Sequence, residues 1–199
     1  DLAGRDHARK ILSGTRDLEL LRAERKRDPS NARTAFYLAQ TLEDLGRARE
    51  AHQAYKDRIA LGGWHEEVYE ARFRLARTAL AMGQPWESAQ AFYLEAFSAA
   101  PHRAEPLFEI ALHWQRVGNH PLAFLFGQRA MQLPYPERDV MPVNGAVYSH
   151  LALEVVGASA WYIGEYAIGE AALRRALAVR PGAPELLKNL EFYEQRKRS

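Results

Sequence analysis

Cysteine is absent from this chain of 199 residues. That absence excludes a disulfide framework, Cys-ligated zinc and thiol catalysis, and leaves packing to hold the fold. A chain without cysteine suits a reducing compartment, so a cytoplasmic protein is the expectation. Charge of one sign is lacking too: 27 Lys and Arg stand against 25 Asp and Glu, a formal net charge of +2. Nucleic-acid binding usually needs a concentrated basic face, and no nucleic-acid partner is expected. No apolar run approaches the length that spans a bilayer, and no membrane partner is expected. The opening Asp1-Leu2-Ala3-Gly4-Arg5-Asp6-His7 has neither an initiator Met nor the apolar core of a signal peptide, which fits a segment of a longer chain. What the chain does hold is 47% hydrophobic residues beside 26% charged ones, the balance of a globular domain with a real core.

Signatures of catalysis are also missing. The seven histidines (His7, His52, His65, His102, His113, His120 and His150) show no metal-ligand spacing. His65-Glu66-Glu67 is like the opening of a zinc-helix motif, but no second His follows at the required helical offset. Glu66 and Glu67 suit the positive N-terminal end of a helix instead. There is no G-x-S-x-G and no phosphate loop, and Gly62-Gly63 reads as a turn. The expectation is a protein that is not an enzyme and uses no cofactor or metal. Arg22, Arg25, Lys26 and Arg27, like the tail Arg196-Lys197-Arg198, read as cations favoured near a helix C-terminus rather than as a phosphate site.

A long internal period organises the chain. Gly46, Gly83, Gly118 and Gly164 follow one another at 37, 35 and 46 residues. Each is preceded seven residues earlier by a small residue: Ala39, Ala76, Ala111 and Gly157. Another small residue follows each glycine (Ala51, Ala89, Ala123, Gly169), then a large one in three units (Tyr55, Tyr93, Leu173) and Gly127 in the third. The units close on Gly63, Pro101, Pro134 and Pro181. Glycine permits the left-handed backbone that ends a first helix, small residues let two helices approach, and Pro or Gly stops the second helix. This is the tetratricopeptide pattern, whose unit is about 34 residues.

The expected fold is all-α: a right-handed α-solenoid of about four tetratricopeptide-like helix pairs with capping helices at both ends. Residues 1–30 form the N-terminal cap, 31–65, 66–101, 104–136 and 145–181 the repeats, and 184–199 the C-terminal cap, making one domain over 1–199. Helices are expected near 5–27, 31–45, 47–61, 66–82, 85–99, 104–117, 120–132, 145–163, 165–179 and 184–196. Asp28-Pro29-Ser30-Asn31 reads as a helix stop followed by an N-cap. The end helices are expected to present polar outer faces. Between Pro134 and Gly145 the chain reads P-Y-P-E-R-D-V-M-P-V-N-G, without helical periodicity, and is expected to be an ordered crossover.

Some stretches are more specific than the repeat consensus: F-Y-L-A-Q at Phe36–Gln40, G-G-W at Gly62–Trp64, and P-Y-P at Pro134–Pro136. With A-F-Y-L-E-A-F (Ala91–Phe97) and L-A-F-L-F-G-Q-R-A (Leu122–Ala130), they resemble the tetratricopeptide segment downstream of family 2 glycosyltransferase domains in bacterial and some viral proteins. The resemblance covers nearly the whole chain. It implies a non-catalytic accessory module, with a glycosyltransferase domain or its acceptor as the partner. The chain itself has no Asp-x-Asp motif, and it departs from the family pattern after Pro136, where Asn144-Gly145-Ala146 replace acidic residues before Val147-Tyr148.

In such repeats the second, fifth, ninth and twelfth residues of a unit point into the groove. Here these are Arg33, Phe36, Gln40 and Glu43; Glu70, Phe73, Arg77 and Leu80; Glu105, Phe108, Leu112 and Gln115; and Leu151, Glu154, Ala158 and Trp161. A protein- or peptide-binding groove is expected from Arg33, Phe36, Gln40, Phe73, Arg77, Phe108, Leu112, Gln115, Arg116 and Trp161. Aromatic ladders at helical spacing belong to cores more often than to sites, so the polar members are the better ligand contacts. Arg77 has two readings: a donor to a ligand, or an internal ion pair with Glu43 or Glu70. The rival function is an enzyme with a site at the 134–148 loop around Tyr135, Asp139 and Tyr148, and a third is a structural or oligomerisation module.

Overall fold

The computed structural model describes the backbone of residues 2–198 and the side chains of residues 14–197. Among the described residues ten α-helices follow in order: α1 (Leu2–Arg27), α2 (Ala32–Asp44), α3 (Ala48–Ala60), α4 (His65–Ala81), α5 (Trp86–Ala99), α6 (Glu105–Arg116), α7 (His120–Met131), α8 (Ala152–Tyr162), α9 (Tyr166–Val179) and α10 (Pro184–Arg198). No strand occurs among the described residues. Every helix but α8 lies within a few residues of its expected place; α8, expected over 145–163, spans Ala152–Tyr162. One turn was not expected: Val147–Leu151, which leads into α8, is π-helical. The chain divides into two compact units, Asp1–Ala99 with α1 to α5 and Ala100–Ser199 with α6 to α10.

The periodic glycines do what their spacing requires. Gly46, Gly83, Gly118 and Gly164 take φ values of 72°, 72°, 78° and 81°, a region that an L side chain rarely adopts. Each closes its helix with the same pair of bonds. After α2, Gly46 N donates to Glu43 O and Arg47 N to Leu42 O, both at 2.9 Å. The bonds repeat after α4, α6 and α8, satisfying carbonyls that the helix end would otherwise leave open. Asn31 caps α2 through its side-chain oxygen, which accepts from Thr34 N at 2.9 Å.

Small residues sit where helices meet. Ala39, Ala51, Ala76, Ala89, Ala111 and Ala123 are each 0% exposed. In the second unit a methyl added at Gly169 would run into the Tyr193 hydroxyl and lie 2.8 Å from Ala160 Cβ. That close approach lets Tyr193 Oη donate to Gly157 O at 2.6 Å, locking α10 onto α8. Gly127, the exception among the large-residue slots, is explained by α8: a methyl there would lie 3.1 Å from Val156 Cγ2 and 3.4 Å from Val155 Cγ1. The two valines fill the space that Tyr or Leu fills elsewhere. A methyl on Gly127 would also lie 3.6 Å from Ala111 Cβ, so Ala111→Leu should overpack α6 against α7. The expected cost is roughly 1–3 kcal/mol in a denaturant melt, and an unchanged midpoint would contradict the close contact.

Buried polar groups tie the joints. Arg58 is 0% exposed and clamps the α3–α4 turn through Glu67 at 3.0 Å and Gly62 O at 2.7 Å. His52, buried in α3, has Nδ1 2.9 Å from Thr78 Oγ1 and its ring edge-on to Phe92 at 5.6 Å. Thr78 gives its own proton to Leu75 O at 2.9 Å, so its hydroxyl oxygen accepts from His52 Nδ1–H. Burial lowers the His52 pKa below the ordinary 6.5, and Lys56 one turn on adds to the effect. In acid the unfolded chain therefore binds a proton before the folded one does, and stability falls as pH drops below about 6.5. His52→Gln keeps a donor for Thr78 and should flatten the decline in Tm between about pH 7.5 and about pH 5.5; an equally steep decline would remove His52 as its source.

Candidate functional site

Within each unit the first helices of successive pairs reach one another: α2 meets α4, α6 meets α8, and α8 meets α10. The second helices of successive pairs make no comparable contact. The first-helix side of each unit is therefore the closed-in face where a groove would lie.

On the first unit that face is polar above a packed base. Arg33 is exposed, donating from Nη2 to Tyr37 Oη at 3.0 Å, with its guanidinium 5.5 Å from the Tyr37 ring centre. Gln40 is half-buried. Glu43 is the hub: Tyr55 Oη donates to it at 2.7 Å, Arg74 Nη1 at 3.1 Å, and Arg77 Nη2 lies 3.4 Å away. Arg74 also reaches Glu70 at 2.6 Å. Burial pushes the Tyr55 hydroxyl far above the ordinary tyrosine range, and the neighbouring Glu43 carboxylate adds to it. Burial works against the Arg74 charge, but Glu70, Tyr55 and Glu43 outweigh it and raise the pKa.

The sequence expectations need correction here. Phe36 and Phe108 are core residues, 2% and 6% exposed, and not groove residues. Phe73 is half-buried, stacked on Tyr69 at 6.2 Å and tilted against Tyr93 at 5.4 Å. The cause is register. The fifth slot of the first helix faces the large residue of its partner helix, as in Phe36 against Tyr55 at 6.5 Å and Phe73 against Tyr93. Arg77 does pair with Glu43, at 3.4 Å, but its side chain remains 52% exposed. The stronger partner of Glu43 and Glu70 is Arg74, which the slot rule does not select. Its position four residues after Glu70 was the available signal.

In the second unit Leu112 and Gln115 are half-buried and Arg116 is exposed. Gln115 Nε2 lies 3.5 Å from Val155 O. Trp161 is half-buried, its ring packed on Tyr166 (5.3 Å), Tyr193 (5.2 Å) and Phe192 (6.0 Å). With Ala158, Tyr162, Asn189 and Phe192 it lines a depression of about 220 Å³ between α8 and α10. Sequence reasoning missed Tyr162, Asn189 and Phe192. Carrying the repeat register one unit further puts Phe192 at the ninth slot of α10, but α10 was read only as a cap. The expected polar outer face is likewise incomplete, since Leu187 and Phe192 are 44% and 46% exposed. The basic tail has specific partners: Arg196 lies 3.7 Å over the Tyr166 ring and Lys197 2.7 Å from Glu170.

The 134–148 loop is stapled by Arg103, which is 2% exposed. Its guanidinium holds Glu105 (2.7 Å), Asp139 (3.0 Å) and Pro142 O (2.9 Å). Tyr148 Oη donates to Glu105 at 2.7 Å, accepts from Ala104 N at 2.9 Å, and is raised in pKa chiefly by burial. His102 Nε2 meets Asp139 at 3.0 Å. Tyr135 packs edge-on to Tyr148 at 5.5 Å. Both carboxylates are thus committed to Arg103, an arrangement that fixes a loop. Among the described residues no three His, Asp or Glu converge as a metal would require, and no helix is long and apolar enough to cross a membrane.

No protein-family model matches the sequence, and no curated protein is significantly similar to it. Solved structures match the fold. The C-terminal part of a TPR repeat-containing protein from Cytophaga hutchinsonii superposes with a TM-score of 0.66 at 14% identity, over 92% of this chain and 66% of that one, so this chain spans just under two thirds of it. MamA matches at a TM-score of 0.61 and 17% identity, covering 87% and 86% of the two chains. YrrB, a TPR protein with an unusual peptide-binding site, matches at 0.61 and 14%, covering 92% and 86%. The chain has the all-helical fold of tetratricopeptide-repeat solenoid proteins.

Proposed function

We propose that this chain is a non-catalytic scaffold that binds a protein or peptide on the first-helix faces of its repeats. One observation supports the reading: the first helices carry accessible polar and aromatic side chains above a packed base. Arg33, Tyr37 and Arg77 are exposed and Gln40 half-buried in the first unit, and Arg116 is exposed and Leu112, Gln115 and Trp161 half-buried in the second. Such groups supply donors, acceptors and aromatic surface at little cost in ordering, because the helices beneath are already fixed. The shared fold with YrrB, whose peptide-binding site is part of its description, supports the same direction. The F-Y-L-A-Q, G-G-W and P-Y-P stretches support a narrower reading, in which the partner is a family 2 glycosyltransferase domain or its acceptor.

The test pairs a thermal melt with a pull-down from source lysate followed by identification of the captured protein. Arg77 is half exposed and held only by a 3.4 Å contact, so Arg77→Ala should change stability by less than about 0.5 kcal/mol. Partner affinity should weaken by roughly 1–3 kcal/mol, the scale of a hydrogen bond to a charged group. A folded Arg77→Ala protein that binds as well as the wild type would remove this residue from the site. Concentration-dependent self-association with no captured partner would favour an assembly module instead.

A further inference from the structure

We propose that the depression between α8 and α10 receives one large apolar side chain of an acidic peptide segment, an inference that rests on the scaffold reading and names the chemistry of its ligand. The depression, about 220 Å³, has room for a single such side chain. Its walls are set in advance. Trp161 is braced on three sides by Tyr166, Tyr193 and Phe192. Tyr162, 67% exposed, lies flat on His120 with ring centres 3.7 Å apart and an interplanar angle of 6°. At the floor, Tyr193 is fixed by its bond to Gly157 O, and burial pushes its hydroxyl up to about 12. Rigid aromatic surface of this kind takes an apolar group with little loss of side-chain freedom. Asn189 lies among these rings and makes no side-chain hydrogen bond to a described residue, so its amide is open to donate to and accept from a peptide backbone.

Charge decides the character of the flanking residues. Lys188 lies one turn before Phe192 on the same helical face, and Arg116 ends α6, which touches α8. Both are exposed, and neither has an ion-pair partner among the described residues. Of the carboxylates on the two helices that wall the depression, Glu154 and Glu185 are engaged with Arg180 at 2.6 and 2.8 Å and Glu194 with Arg174 at 3.1 Å. Glu191 falls at the eighth slot of α10, turned about 100° round the helix from Phe192. Uncommitted positive charge therefore stands on α10, one wall of the aromatic hollow, and on α6, which touches the other wall, and the complementary segment carries Asp or Glu around one Phe, Leu, Ile or Trp.

The experiment selects binders to the full chain from a displayed library of random dodecapeptides and measures the winners by fluorescence polarisation. The expected winners share acidic residues around one large apolar residue, and lose about tenfold or more in affinity to Phe192→Ser and to Lys188→Glu. Both positions are exposed, and unchanged circular dichroism melts will show that the variants fold. Winners that are basic or lack the apolar residue, or that ignore Phe192→Ser, would overturn this inference and leave the scaffold reading standing. A selection that yields no binder would overturn the scaffold reading, and this inference with it.

Discussion

Arg103→Ala should destabilise the protein by about 3–5 kcal/mol, the loss typical when one member of a buried ion pair is removed. Arg103 is 2% exposed, and its guanidinium bonds Glu105 through Nε and Nη2, Asp139 through Nη1, and Pro142 O through Nη2. Truncation would leave two carboxylates, 6% and 11% exposed at their side chains, without the cation that offsets their desolvation. Tyr148 and Asn144 N would still donate to Glu105, so α6 should keep its start, while Asp139 loses its buried anchor and is left with the exposed His102 at 3.0 Å. The variant should therefore show a lower Tm and faster proteolytic cleavage within residues 134–146. Arg103→Lys should recover only part of the loss, since one ammonium cannot span three acceptors set around a planar fork. A melt within about 0.5 kcal/mol of wild type would show that the loop does not depend on this side chain.

That lock was invisible in the sequence, and the reason is distance along the chain. Arg103 meets Asp139 and Pro142 across 36 and 39 residues, and no local period marks such pairs. The turn glycines were legible because a positive φ is a demand placed on one residue, and Gly is the residue that meets it. The small residues at Ala39, Ala76, Ala111 and Gly157 were legible for a similar reason, since close helix approach excludes side chains at one fixed offset from the turn. The π-helical turn at Val147–Leu151 had no such marker. It follows the aperiodic loop and carries Tyr148, whose hydroxyl is committed to Glu105 and Ala104.

The candidate site was read in part. The slot rule selected Arg33, Gln40, Arg77, Gln115 and Trp161, which are exposed or half-buried, but it treated helices as cylinders with one inward stripe. In the fold the fifth slot looks sideways at the partner helix, so a Phe there is drawn into the core by Tyr55 or Tyr93. Charge pairing also escaped the rule. Glu43 gathers Tyr55, Arg74 and Arg77 from two other helices, which neutralises much of the polar surface in the first unit. The second unit keeps Arg116 and Lys188 uncommitted.

Arg58→Met is expected to cost about as much as the loss of Arg103, about 3–5 kcal/mol, but its rescue should differ. Arg58 is 0% exposed, and its principal partner is a single carboxylate, Glu67, whose side chain is 6% exposed. Nε and Nη2 both donate to the same Oε2, at 3.3 and 3.0 Å, while Nη1 takes Gly62 O at 2.7 Å. Removing the cation leaves the Glu67 carboxyl group without its partner in a dry site, and removing Glu67 alone leaves the guanidinium there. Removing both leaves neither, and Met with Leu restores apolar packing of similar volume. Buried pairs replaced in this way are often neutral in stability, because the attraction between the ions had mostly offset their desolvation. Only Gly62 O then lacks its donor, and that residue is partly exposed, so water can take the place of Arg58. Arg58→Met with Glu67→Leu should therefore lie within about 2 kcal/mol of wild type and above either single variant. The same strategy should fail at Arg103, where Asp139 and Glu105 would both need replacing and Pro142 O would still be left without its donor. Urea melts of the two singles and the double decide the matter. A double variant as unstable as the sum of the singles would mean that Arg58 and Glu67 stabilise the α3–α4 joint independently, not as a pair.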